Sequence, residues 1–135
     1  MRKSVISLVA AACLLGLAAP PGALAEDAAP AAAAAPEVDA ELLAALKKEG
    51  TTVYFSSCQG CHAAGGAGEA GPKLASNSNL ENTKEVLRQV LHGGSYMPPM
   101  NTLSDREIAA VVTYIRTSWG NKYGPVTEQE VAAAR

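Results

Sequence analysis

The chain has 135 residues, with 13 acidic and 11 basic side chains, two histidines and three cysteines, for a formal charge of −2. That length holds one small domain once processing segments are set aside. The mildly acidic balance gives no sign of nucleic acid or an anionic membrane surface as partner.

The first residues read as an export leader. Met1-Arg2-Lys3 is a basic start, Val5 to Ala19 an apolar run, and Ala23-Leu24-Ala25 a small-residue cleavage site. The run holds fifteen residues and ends at Pro20-Pro21, short of the about 20 needed to span a bilayer. A cleavable signal peptide over residues 1–25 and a periplasmic destination follow. Cys13 leaves with it: Ala10-Ala11-Ala12 lack the leucine of a lipoprotein signal. Cleavage also removes Arg2 and Lys3, so 11 − 2 = 9 basic residues face 13 acidic ones, a formal charge of −4.

Residues 26–40 are Ala/Pro-rich and cannot bury a core, so they read as a disordered spacer. From Asp39 to about Ser57 the pattern turns helical, with Leu42, Leu43, Leu46, Val53 and Tyr54 at three- and four-residue intervals. Gly50 interrupts that pattern at a cost of about 1 kcal/mol against alanine. It marks either a break between helices or a place where another backbone comes close, and its position before Val53-Tyr54 and Cys58 favours close approach.

Cys58-Gln59-Gly60-Cys61-His62 is the attachment motif for a c-type haem. On one helical turn the two thiols reach the vinyl groups on adjacent sides of a porphyrin and form thioethers. The histidine then stands as an axial ligand, neutral and bound through one ring nitrogen. A thioredoxin-like pair would need a βαβ context, which these flanks lack. A zinc site could recruit Cys58, Cys61, His62 and His92 but has no His-x3-5-His half. A structural disulfide would be strained by the two-residue gap. Export suits the haem reading, because this attachment is made outside the bacterial cytoplasm. It consumes both mature cysteines and leaves no disulfide to expect.

Gly65, Gly66, Gly68 and Gly71 then form a loop ending at Pro72, with Leu74 as its apolar anchor. Thr83 to His92 reads as an amphipathic helix with Val86, Leu87, Val90 and Leu91 on one face, capped by Asn82 or Thr83 and stopped at Gly93-Gly94. In Ser95-Tyr96-Met97-Pro98-Pro99-Met100 the prolines hold the chain extended, and a methionine so placed is a good axial ligand for haem iron. The last helix opens on the capping box Ser104-Asp105-Arg106-Glu107 and carries Ile108, Val111, Val112 and Ile115, with Tyr114 and Trp119 alongside and Gly120 at its end. Residues 125–135 read as a polar tail with Val131 as its main apolar contact and room for one or two helical turns.

Taken together, Gly50…Tyr54…Cys58-x-x-Cys61-His62, Gly71-Pro72-x-Leu74, Gly93-Gly94…Met97-Pro98-Pro99 and the terminal helix with Tyr114 resemble the class I, monohaem cytochromes c of bacterial periplasms. The resemblance covers residues 41–124. It implies an all-α, small helical domain wrapped around one covalent haem c, with the first and last helices crossing and Gly50 meeting Tyr114. It implies thioethers at Cys58 and Cys61, His62 and Met97 as axial ligands of the iron, and a Pro72 carbonyl accepting a hydrogen bond from His62.

Related loops often carry an aromatic where this chain has Met100, a second thioether about 9 Å further along an extended proline segment. Met100, and more remotely His92, therefore stand as rival ligands. The implied function is one-electron transfer between periplasmic redox proteins, with no catalytic side chain. Its alternatives are a permanent subunit of a dehydrogenase or reductase, and a haem enzyme or sensor with an open sixth position. One Phe, one Trp and four Tyr are few for such a domain, and a buried porphyrin would supply the missing bulk.

Overall fold

The computed structural model describes residues 39–135. The expected leader, and all of the spacer except its last two residues, lie outside the described residues. Those last two belong to the first helix: Asp39 caps it, its carboxylate accepting from the Leu42 N–H at 2.7 Å, and Ala40 opens it. α1 runs Ala40–Ser57 without a break at Gly50, and a short α2, Gln59–His62, follows at once. Two 3-10 turns, Ala64–Gly66 and Ser78–Glu81, punctuate the long loop. Then come α3, Thr83–His92, α4, Asp105–Thr117, and α5, Glu128–Ala134. The described residues form no strand; a single bridge joins Gly94 to Met97.

α4 is the spine. Its residues 108–113 are all buried, and α1, α3 and α5 pack against it. The tightest approach is at Gly50, where a Cβ would collide with the Ala110 carbonyl oxygen and stand 2.8 Å from Tyr114 Cβ. A glycine in mid-helix is the residue that lets two helix backbones meet this closely. Above that crossing, Tyr54, Tyr114 and Trp119 form an aromatic cluster with ring centroids 4.9–5.6 Å apart. Tyr54 is fully buried, and its hydroxyl donates to the Ala63 carbonyl at 2.6 Å. That bond fastens the end of α1 to the loop beyond α2.

Three details depart from the sequence pattern. Leu42 is exposed, so the buried face of α1 begins at Leu46. α4 stops at Thr117, three residues before Gly120, because Ser118 is already extended (φ −115°, ψ 165°) and Trp119 after it is left-handed (φ 53°). The tail, residues 125–135, forms its helical turns but is anchored by more than Val131. Val126 joins Val131 in full burial, and Thr127 forms a capping box with Glu130 that starts α5.

Two buried polar side chains tie the loops to α4. Asn121 donates to the Leu74 and Ile115 carbonyls at 2.9 and 2.7 Å and accepts from the Asn77 N–H at 3.0 Å. Arg116, 4% exposed, donates to the Tyr123 carbonyl at 2.7 Å, the Glu81 carbonyl at 3.4 Å and the Thr83 hydroxyl. Burial lowers its pKa, partly offset by Glu130.

Candidate functional site

α2 is too short to be stable alone, and it exists because the chain turns back over it. The Gly71 N–H donates to the Cys61 carbonyl at 2.8 Å, and the Gly68 N–H to the His62 carbonyl at 2.9 Å. His62 is buried, with Nδ1 2.9 Å from the Pro72 carbonyl oxygen. A carbonyl only accepts, so Nδ1 carries the proton and the lone pair resides on Nε2. The ring is thereby oriented before any metal arrives.

The two cysteines are not bonded to each other; Cys58 is half-buried and Cys61 exposed. Burial, and secondarily the neighbouring Cys61, push the Cys58 thiol up to about 11. A dithiol redox centre needs a lowered thiol pKa, so the environment of Cys58 speaks against that reading. Among the described residues no group of three or more His, Cys, Asp or Glu side chains is placed to hold a metal ion. The zinc reading accordingly lacks its donor set. His92 is exposed at the end of α3, away from the cysteines' cavity.

That cavity has a volume of about 610 Å³, within the range of about 300–1,000 Å³ typical of cofactor sites. Cys58, Cys61, His62, Pro72, Met97 and Met100 all line it. Its apolar wall comes from Leu74 and Leu80 in the long loop, Val86 and Val90 on α3, and Val111 and Ile115 on α4. Glu85 and Arg88 are its charged lining residues, and they pair with each other at 3.0 Å.

Met97 sits in a tight turn. Its N–H donates to the Gly94 carbonyl at 2.7 Å, and its carbonyl accepts from the Gly94 N–H at 3.0 Å. The Gln89 side-chain amide donates to its sulfur at 3.7 Å. Sequence reasoning missed Gln89, although its place three residues after Val86 and one before Val90 puts it on the cavity side of α3.

A covalently attached porphyrin suits these residues on chemical grounds. The wall offers two free thiols one helical turn apart, an imidazole with its Nε2 lone pair unspent, and thioether sulfurs in an apolar enclosure. Such an arrangement defines a c-type cytochrome domain.

Residues 45–115, just over half the chain, match the family model described as "Cytochrome C oxidase, cbb3-type, subunit III". The chain belongs to this family of cytochrome c domains, and its cofactor is haem c. It is also similar to proteins called "Alcohol dehydrogenase (quinone), cytochrome c subunit". The identity is 38% over 104 residues for those of Gluconacetobacter polyoxogenes and Komagataeibacter europaeus, covering 64% of this chain and 22% of theirs. For that of Gluconobacter oxydans (strain 621H) it is 31% over 103 residues, with the same coverage. The chain thus spans about a fifth of the length of these relatives. Among solved structures, cytochrome CL of Methylophaga aminisulfidivorans MPT aligns at a TM-score of 0.48 and 26% identity, over 54% of this chain and 53% of that one.

Proposed function

We propose that this domain is the electron-transfer unit of a quinone-linked dehydrogenase, working in the periplasm behind a leader that ends at Ala25. Cys58 and Cys61 are the thioether positions, and His62 and Met97 are the axial ligands. When bound, haem c supplies a one-electron ferric/ferrous couple. The chain's own residues do the rest. Pro72 holds the His62 ring, the turn at 94–97 presents Met97, and the apolar wall keeps water from the couple. Residues 41–124 carry this chemistry.

The cavity that gathers Cys58, Cys61, His62 and Met97 on one wall carries the proposal. The names of the relatives favour a subunit over a freely diffusing carrier. The mouth of the cavity fits such a partner. Tyr96 stands there 98% exposed, and the one ion pair at its rim cancels its own charge, so a docking face with no net charge follows.

Two measurements test this. Denatured protein should retain haem through acid–organic extraction, with a mass exceeding the chain from Glu26 by one haem; extractable haem or bound zinc would overturn the site. Purified from its host, the protein should co-elute at fixed stoichiometry with a subunit that oxidises alcohol and reduces quinone. A solitary monomer that is rapidly reduced by several unrelated donors would restore the free carrier.

A further inference from the structure

Two thioethers line the same cavity, and the chain holds them differently. Met100 is anchored at both backbone atoms and not at its sulfur, its N–H donating to the Val90 carbonyl at 2.9 Å and its carbonyl accepting from the Leu103 N–H at 3.1 Å. Met97 is anchored at both backbone atoms through Gly94 and at the sulfur itself through Gln89. The place for that amide is built in. A Cβ on Gly94 would stand 3.1 Å from Gln89 Nε2, tighter than side chains normally allow, so a glycine there leaves the amide its room. The Gln89 side chain is half-buried, and the Met97 sulfur is the partner its N–H finds. Because a thioether sulfur only accepts, the N–H edge of Gln89 faces Met97.

We propose that Gln89 is a positioning residue that selects Met97 over Met100 and fixes which lone pair of the Met97 sulfur is left for the iron. This rests on reading Met97 as the axial ligand. A thioether sulfur has two lone pairs. With one engaged by the Gln89 N–H, the other alone remains for a metal, and the sulfur binds in one configuration. The amide also draws electron density from the sulfur and turns the positive end of its dipole towards the site. Both effects disfavour the ferric state, so Gln89 raises the reduction potential.

The test is proton NMR and potentiometry on the haem-loaded Gln89→Leu protein, with Gln89→Ala as a second variant should leucine disturb the fold. In the ferrous wild type the axial methionine should give one set of strongly upfield-shifted resonances. In Gln89→Leu a second set should emerge, or the one set should broaden by exchange, and the midpoint potential should fall. Adding Met100→Leu tells the sources apart. If the second set disappears it came from Met100, and if it persists it came from the inverted Met97 sulfur; either supports the role of Gln89. Unchanged resonances together with an unchanged potential in both Gln89 variants would overturn it. A Met97→Ala control separates the failures: if that variant keeps the ferric sulfur–iron charge-transfer band, the assignment of Met97 has failed and the role of Gln89 falls with it.

Discussion

At the scale of single residues, two substitutions decide most. Met97 precedes Pro98, which disfavours helical geometry for it, and its turn presents the side chain to the cavity. Met97→Ala should abolish the sulfur–iron band of the ferric protein, admit carbon monoxide to the ferrous protein and lower the potential. Met100→Ala should keep the band and the closed site while losing packing. The reverse pattern would move the iron to Met100; native protein that already lacks the band and binds carbon monoxide would point to a small-molecule haem enzyme.

Gly50 offers a test of sign. In an exposed helix interior, Gly→Ala stabilises by about 1 kcal/mol. Here the added Cβ meets the Ala110 backbone, which cannot swing aside, so Gly50→Ala should destabilise and Gly50→Leu should cost more, about 1–3 kcal/mol or above. Thermal or denaturant unfolding reads the sign directly, and a stabilised alanine variant would show that the helices do not meet at this point.

At the scale of elements, the first turn of α4 is bound to α1 by charge. Arg106 makes two bonds to the Glu49 carboxylate, at 2.7 and 2.8 Å, and a longer one of 3.4 Å to Glu128 on α5. The Arg106 guanidinium holds Glu49 below its ordinary pKa of 4.5. As acid is added, the unfolded chain therefore takes up this proton before the folded one does. The stabilisation is complete above about pH 4.5 and is lost as pH falls through the folded-state pKa. Both side chains are a third exposed or more, so solvent and salt screen the pair and its worth is about 0.5–1 kcal/mol. Arg106→Gln should lower stability by that amount at pH 7 and reduce the slope of stability against pH below 4.5; an identical slope would mean that the pair contributes nothing.

α5 belongs to the same level. Val131 is fully buried, so Val131→Ala should cost about 1.5–3 kcal/mol in transfer and cavity terms. A cost near zero would mean that α5 lies loosely on the domain.

For the whole molecule, the cofactor is part of the core. The only phenylalanine, Phe55, is 53% exposed, so the core has even fewer aromatic rings than composition alone implies. Around an apolar cavity of about 610 Å³ a domain this small has little other surface to bury. Chain produced without attached haem should lack a cooperative thermal transition and near-ultraviolet ellipticity, while haem-loaded protein shows both. A sharp melt of the haem-free chain would show that the helices suffice. No described helix is long and apolar enough to cross a membrane.

Much of this was local and therefore legible in the sequence. The Cys58–His62 pentad carries its chemistry within one helical turn, and the Ser104–Glu107 box and the stripe of Val86, Leu87, Val90 and Leu91 define helices by contacts within a few residues. The proximity of Gly50 to Tyr114 came from resemblance, and the structure adds the Ala110 carbonyl as the closer neighbour. Other features were decided only by tertiary structure. Periodicity marks a face but not what lies across from it, so nothing in the order of residues pairs Gln89 with the sulfur of Met97. The same holds for Asn121 and Arg116, whose partners are backbone groups and a hydroxyl, most of them brought in by other segments. It holds too for the end of α4, where the chain leaves helical geometry at Ser118 and Trp119 joins Tyr54 and Tyr114, and for Val126, whose N–H and carbonyl both meet the Thr113 hydroxyl of α4. A polar side chain can satisfy its hydrogen bonds in many ways, and only the packed chain chooses among them.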